Sequence, residues 1–308
     1  MARPHSVHAL PTRDGVSPSW VALPPGSWTT VLDFLTDRLP TISRQAWAAR
    51  LHDGEVLDTQ GQPVQAEQPY ASGSRLFYYR HIADEPALPV QERVVFQDDH
   101  LVVADKPHFM PVTPGGRYVQ QTLLVRLKRQ LGIDTLSPVH RIDRETAGLV
   151  LLSVRPQDRN AYQALFRERQ VHKVYEAVAP YRPELALALP LTRRSRIEAC
   201  ATQFFRSEET QGTPNCETTL SLLKVQGDSA LYRLEPLTGK RHQLRIHMNA
   251  LGLPIEGDQF YPQVLRGSED GEDFSQPLQL LARSLSFTDP VTGQPRNFTS
   301  GQSLRVSV

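Results

Sequence analysis

The chain has 308 residues, with 34 Lys and Arg against 33 Asp and Glu and a formal net charge of +1. That length suits two domains, one with a substantial core, and the near-neutral balance excludes a global polycation, so any nucleic-acid contact must concentrate its positive charge locally. Two cysteines, Cys200 and Cys216, without C-x-x-C spacing exclude a disulfide framework, no stretch approaches the ~20 apolar residues of a membrane span, and residues 1–16 lack the apolar run of a signal peptide, so a soluble cytoplasmic protein is expected.

Residues 1–27 are rich in Pro, Ser and Gly and read as a tail. Val31, Leu32, Leu35 and Leu39 form a helical stripe over 29–39, which Pro40 ends. Ser43 is a candidate N-cap for a second helix through Leu51. Asp53-Gly54 turns the chain into Glu55-Val56-Leu57, a second turn follows at 60–63, and 75–79 reads as a strand. Residues 82–92, with Pro86 and Pro89, read as a linker. Val94-Val95-Phe96 and Leu101–Ala104 flank an Asp98-Asp99 turn as a hairpin. Leu123, Leu124, Leu127 and Leu131 give one apolar face to a helix over 122–131, whose Arg126, Lys128 and Arg129 read as solvated.

The stretch His140 to Val154 places His140, Arg141, Asp143, Arg144 and Glu145 on a loop that turns through Thr146-Ala147-Gly148 into the apolar run Leu149–Leu152. A short apolar run bounded by turn residues is a buried strand, so this charged cluster is fixed to the edge of the core. Taken alone, Asp143 reads as one half of an ion pair with Arg141 or Arg144. Residues 158–169 form a helix with Ala161, Leu165 and Phe166 inward, and 172–179 a strand with Lys173, Tyr175 and Ala177 on one face. Arg193, Arg194 and Arg196 make a basic run that is a weak candidate for phosphate contact. Residues 206–217 read as a surface loop, 231–234 as a strand, 262–276 as an acidic loop with Glu269, Asp270, Glu272 and Asp273, and 278–287 as a final strand. Leu244, Met248 and Leu251 fall at helical spacing between Gly239 and Gly252, with Arg241 and Arg245 near the start, where the helix dipole and both arginines favour an anion.

Together these segments resemble the RluA-type pseudouridine synthases. VVFQDDHLVVADKP over 94–107 resembles the family's first motif, with His108-Phe109-Met110 in place of the usual small residues after it. HRIDRETAGLVL resembles the second motif, H-R-L-D-x-x-T-S-G-L-L-L, with Ile142 and Ala147 as mild departures. Lys173-x-Tyr175-x-Ala177 matches K-x-Y-x-A, and TGKRHQLRIH, followed by GLPIEGD, matches the third motif, with Lys240 for the usual Arg. The resemblance runs from about Arg93 to the C-terminus. It implies an α+β fold over 93–308, a mixed, mostly antiparallel sheet with helices around it. The two helices and small strands of 28–81 resemble the alpha-L RNA-binding module, with Arg38, Arg44 and Arg50 as its basic face.

The resemblance also implies the chemistry. Asp143 is the catalytic carboxylate acting near the ribose, as nucleophile or as base, and Arg245 pairs with it and keeps it ionised. Tyr175 lies against the target uracil and moves a proton in the last step. Arg141 fills the space left by the flipped base, Leu244 packs the base's other side, and His140 orients the loop. His140, Arg141, Lys173, Lys240, Arg241 and Leu244 make the expected RNA-binding surface. No metal and no other cofactor is required. The expected partner is RNA, ribosomal RNA ahead of transfer RNA, and the expected state is a monomer. A metal-dependent hydrolase is disfavoured, because five-residue spacing turns His242 and His247 about 140° apart on a helix and no H-E-x-x-H occurs. The alternative is a catalytically silent RNA-binding or ribosome-assembly factor on the same fold.

Overall fold

A computed structural model of the chain describes residues 10–82, 84–186, 188–265 and 273–305. Residues 1–9 of the expected tail, and Glu269, Asp270 and Glu272 of the expected acidic loop, lie outside the described residues. The chain divides into two compact units, Met1–Pro86 with Gly115–Gln120 and Val125–Asp134, and Ala87–Pro114 with Gln121–Leu124 and Thr135–Val308.

The first unit contains β1 (Ser19–Ala22), α1 (Val31–Arg38), α2 (Arg44–His52), β2 (Val56–Leu57) and β3 (Arg75–Tyr78), with the strands in antiparallel order β1-β3-β2. A capping box starts α1: Thr30 Oγ1 accepts from the Asp33 N–H at 3.1 Å and Asp33 Oδ2 accepts from the Thr30 N–H at 3.1 Å. Ser43 caps α2 as its sequence position predicts, accepting from the Ala46 N–H. Phe34, Leu35, Trp47, Leu51 and Val56 close the core between helices and sheet. Burying each large side chain contributes about 1.5–3 kcal/mol. The expected tail is corrected here: Ser19–Ala22 pairs with β3 along its whole length. Its short Trp20-Val21-Ala22 run is too brief to stand out among flanking Pro and Ser. The expected basic face is also thinner than its sequence, because Arg44 holds Asp33 at 2.7 Å.

In chain order the remaining elements are β4 (Arg93–Gln97), β5 (Leu101–Lys106), α3 (Leu123–Leu131), β6 (Ser137–Pro138), β7 (Ala147–Ser153) and α4 (Arg159–Arg167). They continue with β8 (His172–Pro180), α5 (Pro183–Ala186), β9 (Leu191–Ala199), β10 (Ser207–Thr210) and β11 (Cys216–Gln226). The last are β12 (Ser229–Pro236), α6 (Gln243–Ala250), β13 (Leu280–Thr288) and β14 (Pro295–Thr299). One large sheet runs β10-β9-β11-β12-β8-β13-β7-β5-β4, with β14 on β13 and β6 on β7. Its described pairings are antiparallel except β13 with β7. The fold is therefore α+β with a mixed, mostly antiparallel sheet.

Two apolar layers hold the sheet's helices. Leu244 and Met248 of α6 pack with Ala177, Leu220, Tyr232 and Leu234 of β8, β11 and β12. Leu165 and Tyr162 of α4 pack with Leu101, Leu149, Leu151 and Leu285. Tyr162 is buried on α4 along with Leu165, and its hydroxyl reaches the buried Asp289 carboxylate at 3.1 Å.

Three further expectations change. Lys128 of α3 is buried, with Nζ donating to Ser17 Oγ at 2.8 Å, and is not a solvated surface group. Residues 206–217 are not a plain loop, since they hold β10 and the start of β11. The basic run at Arg193–Arg196 lies on β9, where the neighbouring strands supply carboxylates, Glu209 to Arg193 and Glu217 to Arg194, while Arg196 pairs with Glu198. These arginines are already neutralised, which removes the weak case for a phosphate contact.

Candidate active site

Asp143 sits on the loop entering β7, at the middle of the large sheet. The Thr146 N–H donates to the Asp143 carbonyl at 3.2 Å and closes the turn. Gly148 then has φ of +111°, and a Cβ there would lie 2.3 Å from the Ala282 carbonyl oxygen. Only glycine lets β7 approach β13 this closely, so the T-A-G turn fixes the loop's position.

Lys106, at the end of β5, is completely buried. Its Nζ donates to the carbonyls of Pro107 at 3.0 Å, Met110 at 2.8 Å and Arg144 at 3.0 Å. Three acceptors match the three N–H bonds of an ammonium. Lys106 thus ties the loop after the first motif to the backbone beside Asp143. Burial pulls its pKa down to about 7, while Glu145 and Asp143 oppose the change.

His140 faces inward. Its Nε2 accepts from the Leu151 N–H at 3.1 Å, and its ring stacks on Phe166 with centroids 4.3 Å apart. Burial first, then the charge of Lys173, lowers its pKa to about 3, so the ring is a neutral acceptor. This suits the expected role of orienting the loop. The ring also borders the outer cleft, with its Nε2 taken up by the backbone.

The third motif builds the opposite wall. His242 sits at the N-cap of α6 with φ of +58°. Buried Gln243 shapes the turn before it, its Oε1 accepting from the Thr238 hydroxyl at 2.8 Å and the Lys240 N–H at 3.0 Å. Arg241 precedes the helix and does not share its first turn with Arg245. Its guanidinium instead donates to the carbonyls of Phe204 and Phe205. Arg245 comes from the first turn of α6 and is 1% exposed.

The charge of Arg245 is held chiefly by Asp258, a residue the sequence reading leaves without a role. Arg245 Nε and Nη2 donate to Asp258 Oδ2 at 2.8 Å and Oδ1 at 2.6 Å, while Nη1 reaches Asp143 Oδ2 at 3.4 Å. Gly257, with φ of +74° and no room for a Cβ beside the Pro277 carbonyl, sets the turn that delivers Asp258. Burial works against the guanidinium charge, but the hydrogen bonds and charge of Asp258, then Asp143, more than offset it, raising the pKa of Arg245 further. Phe260 and Tyr261 cover the cation, with their ring centroids 4.9 and 5.4 Å from Cζ. Arg245 and Asp258 form a neutral, dry pair, and Asp143 beside it keeps a side chain 25% exposed.

Asp143, Tyr175, Leu244, Arg245, Lys173 and Arg141 line one cleft of about 510 Å³ that is open to solvent. Tyr175 is half-buried there; burial, then the Asp143 charge, raises its pKa, so it is a neutral phenol. Lys173 Nζ donates to the Thr238 carbonyl at 2.9 Å, and burial, then Arg169, lowers its pKa to about 8. An adjoining open cleft of about 1710 Å³ shares Lys240 with it and adds Arg144 and Arg241 to the lining. Exposed Arg141 makes no hydrogen bond or ion pair among the described residues. His242 and His247 serve different partners: His242 Nδ1 meets the Tyr261 hydroxyl, and His247 meets Ser195 and Thr218.

The site therefore joins most expected residues, and it adds Asp258, Lys106 and Gln243. Each of the three lies inside a quoted motif, so its position was visible but its task was not. No helix among the described residues is long and apolar enough to cross a membrane.

A family model described as RNA pseudouridylate synthase matches residues 100–250. An uncharacterized RNA pseudouridine synthase of Synechocystis sp. is 32% identical over 236 residues, covering 75% of this chain and 79% of that protein. The dual-specificity RNA pseudouridine synthase RluA of Pasteurella multocida is 32% identical over 217 residues, covering 67% of this chain and 91% of that protein. Among solved structures, human RNA Pseudouridylate Synthase Domain Containing 1 shares the fold with a TM-score of 0.56 at 24% identity, covering 71% of this chain and 86% of that one.

Proposed function

The chain belongs to the RNA pseudouridylate synthase family and is an isomerase acting on RNA, and from that premise we propose that Asp143 is its catalytic carboxylate. The observation that carries this is the arrangement of charges. Arg245 is neutralised by Asp258, so Asp143 stands as the one carboxylate among the described residues that line the cleft.

The reaction breaks the bond from ribose to the ring nitrogen, turns the base, and joins the ribose to a ring carbon. That carbon loses a proton and the nitrogen ends with one, so no co-reactant is consumed. Asp143 acts at the ribose, with Arg245 Nη1 placed 3.4 Å from its Oδ2. The loosened uracil rests between Tyr175 and Leu244. Stacking on the ring offsets part of the few kcal/mol that extrusion from the helix costs. Arg141, exposed and unpaired among the described residues, enters the vacated stack. Tyr175 is a neutral phenol and serves the final proton movement. Lys173, Lys240 and Arg241 line the approach and meet phosphates.

The first unit is an RNA-binding module, and it favours structured ribosomal RNA, with transfer RNA as the second substrate class. Within that unit Trp20, Arg50, Tyr78 and His81 line a cleft in which rings and a cation stand together, a composition suited to bases and phosphates. The protein acts as a cytoplasmic monomer.

The test uses purified enzyme and total RNA from cells lacking the gene. Wild type forms pseudouridine at discrete uridines, and Asp143→Ala forms none. Equal conversion by both would remove Asp143 from the mechanism.

A further inference from the structure

Phe204 is 87% exposed, the most exposed of the large apolar side chains among the described residues. A lone exposed phenyl is ordinary on a protein surface. This one is not loosely placed. It lies on the turn between β9 and β10, where the Cys200 N–H bonds the Arg206 carbonyl at 3.1 Å and the Arg206 N–H bonds the Gln203 carbonyl at 2.8 Å. Arg241 then ties the turn to the third motif, Nη1 donating to the Phe204 carbonyl at 2.8 Å and Nη2 to the Phe205 carbonyl.

A row of rings leads from this phenyl to the catalytic carboxylate. Phe204 meets Phe205 edge-on at 5.6 Å, Phe205 meets Phe260 at 5.4 Å, and Phe260 stacks on His242 at 5.8 Å. His242 Nε2 lies 3.9 Å from Asp143 Oδ2. Phe204 is the solvent end of that row. Arg241, which holds its backbone, belongs to the basic lining of the outer cleft with Arg141, Arg144, Lys173 and Lys240.

We propose that Phe204 is a stacking platform for an unpaired base of the substrate RNA close to the target uridine, a positioning residue for the reaction assigned to Asp143. The surroundings select nucleic acid over an apolar protein partner. A flat ring on a turn tied to Arg241, which lines a basic cleft, offers a base its face and the adjoining phosphates their counter-charge, the combination used on single strands. Because every base has a π-face, the platform selects an unpaired nucleotide at a set distance from the target and not a particular letter. This inference rests on the pseudouridine synthase reading of the cleft.

The experiment measures rates of pseudouridine formation at increasing concentrations of total RNA from cells lacking the gene. Wild type, Phe204→Ala, Phe204→Trp and Asp143→Ala are compared, each checked by thermal melting. Phe204→Ala should raise the half-saturating RNA concentration about tenfold, equivalent to about 1.4 kcal/mol, and lower the saturated rate by less than about twofold. Phe204→Trp should restore wild-type half-saturation. A folded Phe204→Ala enzyme with wild-type half-saturation, while Asp143→Ala is inactive, overturns the platform and leaves the site reading intact. A wild-type enzyme that converts no uridine at all overturns the site reading, and the platform with it.

Discussion

Two regions of the second unit carry arginines against carboxylates, and they behave differently. On the edge strands β9, β10 and β11, Arg193, Arg194 and Arg196 face Glu209, Glu217 and Glu198 at 2.6 to 2.7 Å. These pairs stand in or near solvent and form one carboxylate to each arginine. Such pairs contribute little, because water screens them and long side chains lose entropy in forming them. At the centre, Arg245 is buried and faces two carboxylates, with Asp258 taking the short contacts and Asp143 the 3.4 Å one. The difference teaches that a charge cluster becomes a site when burial makes the pairing obligatory and one group is left over. The edge ladder has no group left over; the centre has Asp143.

The largest effect expected from breaking this asymmetry is on turnover. Asp143→Ala should cost on the order of 10⁴-fold or more, while melting within a few degrees of wild type, because the group left over is not needed to hold the fold. Asp258→Ala should act the other way round. It leaves the Arg245 charge buried without its main partner, which destabilises by about 3–5 kcal/mol, read from the denaturant midpoint. A wild-type midpoint would mean that Asp143 alone can satisfy Arg245. Lys106→Met leaves three inward carbonyls without a donor, costs a few kcal/mol, and should lower the saturated rate more than it weakens RNA binding, since the backbone beside Asp143 loses its tie.

Acid sharpens the same contrast. His140 and His242 have pKa values lowered to about 3 and His247 to about 4, each by burial first, against about 6.5 in the unfolded chain. The folded state holds these rings neutral and the unfolded state protonates them earlier. Their contribution is therefore fully present above pH ~6.5 and is lost as pH falls toward 4 and then 3. Urea midpoints at pH 7.5 and 4.5 should show the drop, and His247→Asn should shrink it. The smallest effect is expected at the edge ladder. Arg193→Ala or Arg194→Ala should leave turnover unchanged and shift Tm by no more than about 2 °C.

What the sequence revealed follows the range of the interactions. The place of Asp143 at the edge of the core was legible because its charged loop runs directly into the apolar strand Leu149–Leu152, while its role came only from the resemblance; the helix of Leu244 and Met248 was legible because its period is local. Asp258 was not, although it sits only 13 residues beyond Arg245, because its task depends on a turn at Gly257 that brings it back under α6. Lys106 looked like punctuation before Pro107, and nothing nearby announces that three carbonyls converge on it. The strands of the edge ladder were hidden for a related reason. The arginines of β9 meet glutamates on β10, on β11 and on β9 itself, so charged residues interrupt the apolar period that would mark the strands. β1 was missed because four residues give too short a period to compete with the Pro and Ser around them.

The most direct test of the left-over carboxylate is a map of pseudouridine across all stable RNAs in cells lacking the gene, complemented with wild type or with Asp143→Ala. One or more sites should vanish on deletion, return with wild type and stay absent with Asp143→Ala. Restoration of a vanished site by Asp143→Ala to the wild-type level would contradict the role assigned to Asp143.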